Sequence, residues 1–206
     1  MTPQVKINKP SLQEVQNYLK LNEHYTLQES ALKKLFTKTY PKNDDMDDIL
    51  IKASSLNDFY STNIFSIFPI AKHIKNLKID ESLESGDLSL VSKIANIKIN
   101  GVDKNFYSFA SKYCSHHKPL VFPIYDYYVD KILRYFQKEY NFYNFKFNLK
   151  NYEIFCDVIN KFITYYELNN FSIKEIDKYL WQLGKAAFPR NYKKRSNKRH
   201  DLFKHL

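Results

Sequence analysis

Only three glycines, Gly86, Gly101 and Gly184, occur among the 206 residues. A β-sandwich, a dinucleotide-binding α/β fold or a phosphate-binding loop needs glycine at tight turns or where backbone approaches phosphate closely. Such scarcity argues against all of them. Apolar residues recur instead at helical spacing, and no period-two alternation persists long enough to set a strand. The expected fold class is all-α, a two-lobed helical bundle. With 44% hydrophobic residues the chain can build a sizeable core.

Helix-start signals divide the chain. Ser11 with Glu14 and Thr26 with Glu29 are capping-box patterns. They predict helices over 12–21 and 27–39, the second ended by Pro41. Asp44, Asp45, Asp47 and Asp48 suit the first turn of the next helix, where the dipole favours negative charge; a metal site is the sharper reading of the same run. Further helices are predicted over 49–60, 64–77 with a kink or break at Pro69, 88–97 capped by Asp87, 104–117, 127–140, 152–168 and 173–188. One domain is expected over 1–190, followed by a basic tail over 191–206 that includes Lys193, Lys194 and Arg195. Cys114 and Cys156 are too few for a disulfide framework or a four-cysteine metal site, so buried free thiols are expected. The opening residues carry no apolar signal and the apolar run 64–70 is too short to span a bilayer. A cytoplasmic protein without a membrane partner is the expectation.

The net charge of +10 favours a polyanion, nucleic acid before anionic membrane. A solvated lysine-rich surface from an AT-rich genome gives the same balance.

Between two helical patterns stands Ile99-Asn100-Gly101-Val102-Asp103. Gly101 can take the positive φ of a tight hairpin, with Ile99 and Val102 packing the helices together. Unpaired N–H groups at the start of the second helix could then bind phosphate, directly or through a monovalent cation. An ordinary αα-turn is the plain alternative.

The following stretch adds Phe109-Ala110-Ser111-Lys112, then Pro123-Ile124-Tyr125-Asp126. Hairpin, helix, proline-bearing loop and an aspartate opening the next helix resemble the order in helix-hairpin-helix DNA glycosylases, and the Phe-Ala-X-Lys stretch is most similar to the archaeal 8-oxoguanine branch. The resemblance covers about the middle fifth of the chain. It places the motif at about 87–117 and implies a monomeric enzyme that needs no cofactor, binds double-stranded DNA, flips a damaged or modified base and hydrolyses its glycosidic bond. Base excision repair, or defence against phage with modified DNA, would be the setting.

The resemblance assigns Asp126 as the catalytic carboxylate. As a helix N-cap it would be held in one orientation and could stabilise positive charge at C1′ or activate water; a cap alone is the plain reading. The family's nucleophilic lysine falls on Asn105, a departure that favours a monofunctional enzyme. Lys104, one residue earlier, would permit lyase chemistry after a small register shift. Lys112 suits phosphate binding or packing. Gly101, Val102, Lys112, Lys193, Lys194 and Arg195 are the expected DNA contacts. Phe106, Tyr107, Tyr125, Tyr127, His116 and Trp181 are candidate walls of a base pocket, against the alternative that most are core. Two competitors stay open: a non-catalytic helical DNA-binding module, and a nuclease or toxin using His116 and His117 as acid and base.

Overall fold

A computed structural model describes residues 3–20, 23–144 and 148–190. Lys193, Lys194 and Arg195 lie outside the described residues. Among the described residues ten α-helices and one β-hairpin follow in the order α1 (Leu12–Leu19), α2 (Glu23–Lys34), α3 (Met46–Tyr60), α4 (Phe68–Leu77), α5 (Asp80–Ser85), α6 (Ser89–Ala95), β1 (Asn96–Ile99), β2 (Val102–Asn105), α7 (Tyr107–His117), α8 (Tyr127–Tyr140), α9 (Tyr152–Tyr165) and α10 (Ile173–Ala187). The architecture is an all-α, multi-helix bundle with no closed sheet among the described residues.

Side-chain caps start several of these helices. Ser11 Oγ accepts from Glu14 N at 3.2 Å. Asp45 Oδ1 accepts from Asp47 N at 2.8 Å and Asp48 N at 3.2 Å, so the acidic run serves as cap and first turn of α3. Among the described residues no group of three or more His, Cys, Asp or Glu side chains is placed to hold a metal ion. Ser172 and Glu175 form a reciprocal capping box on α10.

The core is one cluster running from Ile7 to Phe188. At its centre lies α7, whose residues from Tyr107 to Cys114, apart from Ser108, are buried together with Ser115 and His116. Helices α6, α3 and α2 pack around it, while α10 joins α8 to α1. A helix covered on every side must bury its polar residues too, and α7 buries Lys112, Ser111 and Ser115. Cys114 and Cys156 are buried free thiols. A second buried cation, Lys52, donates to the carbonyls of Tyr40 and Lys42 at 3.0 and 2.6 Å and to Asn43 Oδ1 at 2.8 Å. Asn43 is the hub there: its Oδ1 also accepts from Tyr113 at 2.7 Å, and its Nδ2 donates to Asp80 Oδ1 at 2.6 Å. Burial lowers Lys52 to about 8, against the pull of Asp80.

The structure corrects the expected αα-hairpin. Residues 96–105 form a two-stranded antiparallel ribbon in which Ile99 pairs with Val102 and Asn96 with Asn105. Asn100 and Gly101 both have positive φ, 50° and 79°, as a two-residue primed turn requires. The second helix therefore starts at Tyr107, not at residue 104. Two of the N–H groups expected to be free for phosphate or a cation are used by the chain: Phe106 N donates to Ala95 O at 2.9 Å and Tyr107 N to Asn105 Oδ1 at 3.2 Å. Other boundaries move as well. α2 begins at Glu23, so Thr26 lies inside it, and it runs on into a π-helical turn over Leu35–Thr39. Pro69 sits in the first turn of α4, where it costs no helical hydrogen bond, and so produces no kink. The six-residue α5 had no counterpart in the expected helices.

Gly184 fixes how closely α10 approaches the start of α8. A Cβ there would lie 2.5 Å from the Tyr128 carbonyl oxygen. Gly184→Ala should destabilise the fold by about 1–3 kcal/mol through forced separation of the helices, read as a lowered midpoint in thermal or urea unfolding.

Candidate active site

The segment between α7 and α8 is pinned by three helices. Ser111 Oγ of α7 accepts from Tyr125 N at 3.1 Å, and Ser108 Oγ donates to Tyr125 O at 3.1 Å. Tyr152 of α9 donates to Pro123 O at 2.7 Å. Asp177 of α10 accepts from Ile124 N at 2.8 Å. Backbone groups that a buried loop would otherwise leave unsatisfied are thereby paired, and Asp126 leaves this clamp in a fixed direction.

Asp126 caps α8, its Oδ1 accepting from Tyr128 N at 2.8 Å. Its Oδ2 lies 3.3 Å from Lys112 Nζ, and the two side chains are 19% and 2% exposed. Lys112 Nζ also donates to Ser108 Oγ at 2.6 Å and lies 5.0 Å from the centre of the Tyr60 ring. Burial lowers the lysine's pKa, while Asp126 opposes that shift.

Above this pair opens a pocket of about 280 Å³. The α3–α4 loop, Ser61 to Asn63, forms one wall; Tyr127, Asp130, Lys150 and Arg190 contribute to the rest. Arg190 stacks over Tyr127, its guanidinium carbon 3.9 Å from the ring centre, and Lys150 Nζ lies 4.4 Å from the centre of Tyr125. Both cations are exposed at the rim. Next to the pocket, and sharing Lys112 and Tyr60 with it, is a crevice of about 20 Å³ lined also by Ile124, Val129, Asp177 and Trp181. Asp177 is 4% exposed there, and its Oδ1 has no hydrogen-bond partner.

The site thus offers a carboxylate of fixed orientation paired to a buried ammonium, an open cavity beside it, and a cationic, aromatic rim. It can stabilise a positive centre or orient a water next to one. The close Ser108–Lys112 contact does not make a serine nucleophile, because Ser108 gives its proton to the Tyr125 carbonyl and accepts from the lysine.

Of the residues singled out in the sequence, Asp126, Lys112, Tyr125 and Tyr127 line the pocket, and Trp181 lines the crevice. Tyr107 is buried behind Tyr125, ring centres 4.7 Å apart, and its hydroxyl donates to Leu149 O at 3.1 Å. Phe106 is half-buried against the core. Lys104 and Asn105 are exposed on β2 and are not among the residues lining the pocket. Asn105 donates to Asn96 Oδ1 at 2.7 Å and accepts from Tyr107 N at the start of α7, a structural task. Gly101 and the 53%-exposed Val102 stand at the ribbon tip. His116 bonds the Tyr60 hydroxyl at 3.0 Å, and burial depresses its pKa to about 3. His117 is depressed for the same reason, so neither histidine is suited to act as a proton donor near neutral pH. Sequence reasoning missed Lys150, Arg190 and the Ser61–Asn63 loop, which carry no local motif. Asp177 carries a signal in its helical spacing, sharing one broad face of α10 with Leu180, Trp181 and Gly184.

The HI_0787_N family, described as an N-terminal domain, matches residues 9–121. An uncharacterized protein of Haemophilus influenzae (strain Rd) is 47% identical over 148 residues, 71% of this chain and 71% of that protein. The chain belongs to this family. No solved structure matches it.

Burial pushes Asp177 up to about 7 from an ordinary 3.8. In the unfolded chain the group ionises near 4, whereas folded it keeps its proton to about 7, so its contribution to stability declines as pH rises between those values and is then constant. Asp177→Asn should therefore gain stability relative to wild type across that window and plateau above it. Urea midpoints of both proteins against pH check this; a flat difference contradicts the assignment.

Proposed function

We propose that this member of the HI_0787_N family is a DNA glycosylase that turns a damaged or modified base out of the duplex and hydrolyses its N-glycosidic bond, leaving an abasic site. The observation that carries the reading is Asp126, aimed into a 280 Å³ pocket and held by Tyr128 N and Lys112. Cleavage of a glycosidic bond places positive charge on the sugar at C1′. A carboxylate fixed before the reaction begins stabilises that charge without reorganising, and can accept the proton of the attacking water. The C1′–N bond breaks with its electron pair leaving on the base. Water supplies the new C1′–O bond, and its proton passes to Asp126 and on to the departing base.

Each neighbour has a place in this reading. Lys112 orients Asp126. Lys150 and Arg190 meet phosphates on either side of the flipped nucleotide, a salt-sensitive attraction. Tyr125 and Tyr127 supply aromatic walls. The crevice with Asp177 and Trp181 receives one edge of the base; a protonated Asp177 can donate a hydrogen bond to an acceptor on that edge. The β-ribbon stands where a helix-hairpin-helix was expected, and its exposed tip at Gly101 and Val102, with Lys104, lies along one DNA strand. The lysine that the resemblance to helix-hairpin-helix glycosylases would place at residue 105 is an asparagine here, on the exposed ribbon rather than in the pocket, which favours water over an enzyme amine as nucleophile.

Wild type and Asp126→Asn incubated with oligonucleotides bearing damaged bases, and with hypermodified phage DNA, should differ at least about 100-fold in alkali-revealed strand breaks. Breaks should need alkali, and borohydride should trap no adduct on Lys104. Undiminished base release by Asp126→Asn would sink the mechanism. Histidine-dependent breaks without alkali would favour the nuclease reading.

A further inference from the structure

Among the described residues the most exposed large apolar side chain is Phe65, at 91%. Its setting is well ordered by hydrogen bonds. Asn57, near the end of α3, closes the loop: its Nδ2 donates to Ile64 O at 3.1 Å, and its Oδ1 accepts from Ile64 N at 3.1 Å and from Thr62 Oγ1 at 2.6 Å. Ser61 and Asn63 take left-handed φ of 47° and 58° to make the bend. Ile64 then turns inward and is 5% exposed, which leaves Phe65 directed into solvent. Phe68, at the start of α4, is 58% exposed. Holding a whole aromatic ring in water gives nothing to the stability of the monomer.

The position of the loop gives the ring an occupation. Ser61, Thr62 and Asn63 are a wall of the pocket that holds Lys112 and Asp126, so Phe65 stands two residues from its edge. The cations Lys150 and Arg190 belong to the lining of the same pocket. A strand that laid its phosphates along that rim would pass the loop that carries the exposed ring. Turning one nucleotide out of a duplex leaves a gap between neighbouring pairs, and apolar side chains fill such gaps because a base–aromatic contact replaces the lost stacking.

We propose that Phe65 enters the base stack of duplex DNA beside the nucleotide turned into the Lys112–Asp126 pocket and holds the gap open. The proposal rests on the glycosylase reading, and its test needs neither turnover nor knowledge of the target base. The probe is a duplex with one tetrahydrofuran abasic-site analogue and 2-aminopurine as the adjoining base, compared with the intact duplex. Affinities and 2-aminopurine emission are measured for wild type, Phe65→Ala, Phe65→Trp and, as a control, Leu27→Ala, which truncates another exposed apolar side chain, 71% exposed on α2. Phe65→Ala should bind the abasic duplex about tenfold more weakly, with the intact duplex little affected and the emission change lost. Phe65→Trp should restore both, and Leu27→Ala should behave as wild type. Equal binding and emission for wild type and Phe65→Ala would overturn the role of Phe65 alone. No binding of either duplex by wild type would overturn that role together with the reading beneath it.

Discussion

An ammonium group in the middle of a covered helix is the constraint around which this site is arranged. Lys112 is 2% exposed on α7, and an uncompensated charge there would be costly by several kcal/mol. Its compensation comes from Ser108 one turn earlier and from Asp126 at the head of α8. The carboxylate that meets this need also caps a helix, so the pair ties α7 to the head of α8 alongside the hydrogen bonds that pin the connecting segment. Removing either member of such a pair typically costs about 3–5 kcal/mol when both are well buried, and somewhat less here because Asp126 is partly exposed.

Lys52 shows that the chain has another way to bury a lysine. That ammonium is held by two carbonyls and the Asn43 side chain, with the Asp80 carboxylate reached through Asn43, and the arrangement ties the 40–43 loop to α3, α5 and α7. It is structural, and its carboxylate is engaged with the amide groups of Asn43. At Lys112 the carboxylate is in direct contact with the cation and faces a cavity large enough for part of a nucleotide. That difference is why the proposed chemistry is assigned to the Lys112–Asp126 pair and not to Lys52.

The helix α8 was readable in full from the sequence: its amphipathic pattern and the Asp126 cap predicted Tyr127 to Tyr140, the span observed. The connection before α7 was misread because glycine in a short gap between helical patterns suggested an αα-turn. The better signal was Asn100-Gly101 flanked by Ile97, Ile99 and Val102, which favours a primed β-turn. That error moved the helix start by three residues and took Asn105 and Lys104 away from the pocket. Lys112, assigned to phosphate or packing, is buried beneath it, because no local pattern reports that a helix will be covered on all sides. Arg190, Lys150 and the Ser61–Asn63 loop are distant in sequence and meet only through tertiary packing.

In the proposed reading Asp126 faces C1′ of a flipped nucleotide, and this has a direct electrostatic consequence that can be measured without a known substrate. A duplex carrying a pyrrolidine, cationic where the sugar develops charge, should bind wild type at least about tenfold tighter than the same duplex carrying a neutral tetrahydrofuran, a difference of about 1.4 kcal/mol. Asp126→Asn should erase that preference while retaining affinity for the neutral duplex. Equal affinity of wild type for the two duplexes, or a preference that survives in Asp126→Asn, would contradict the central role given to this carboxylate.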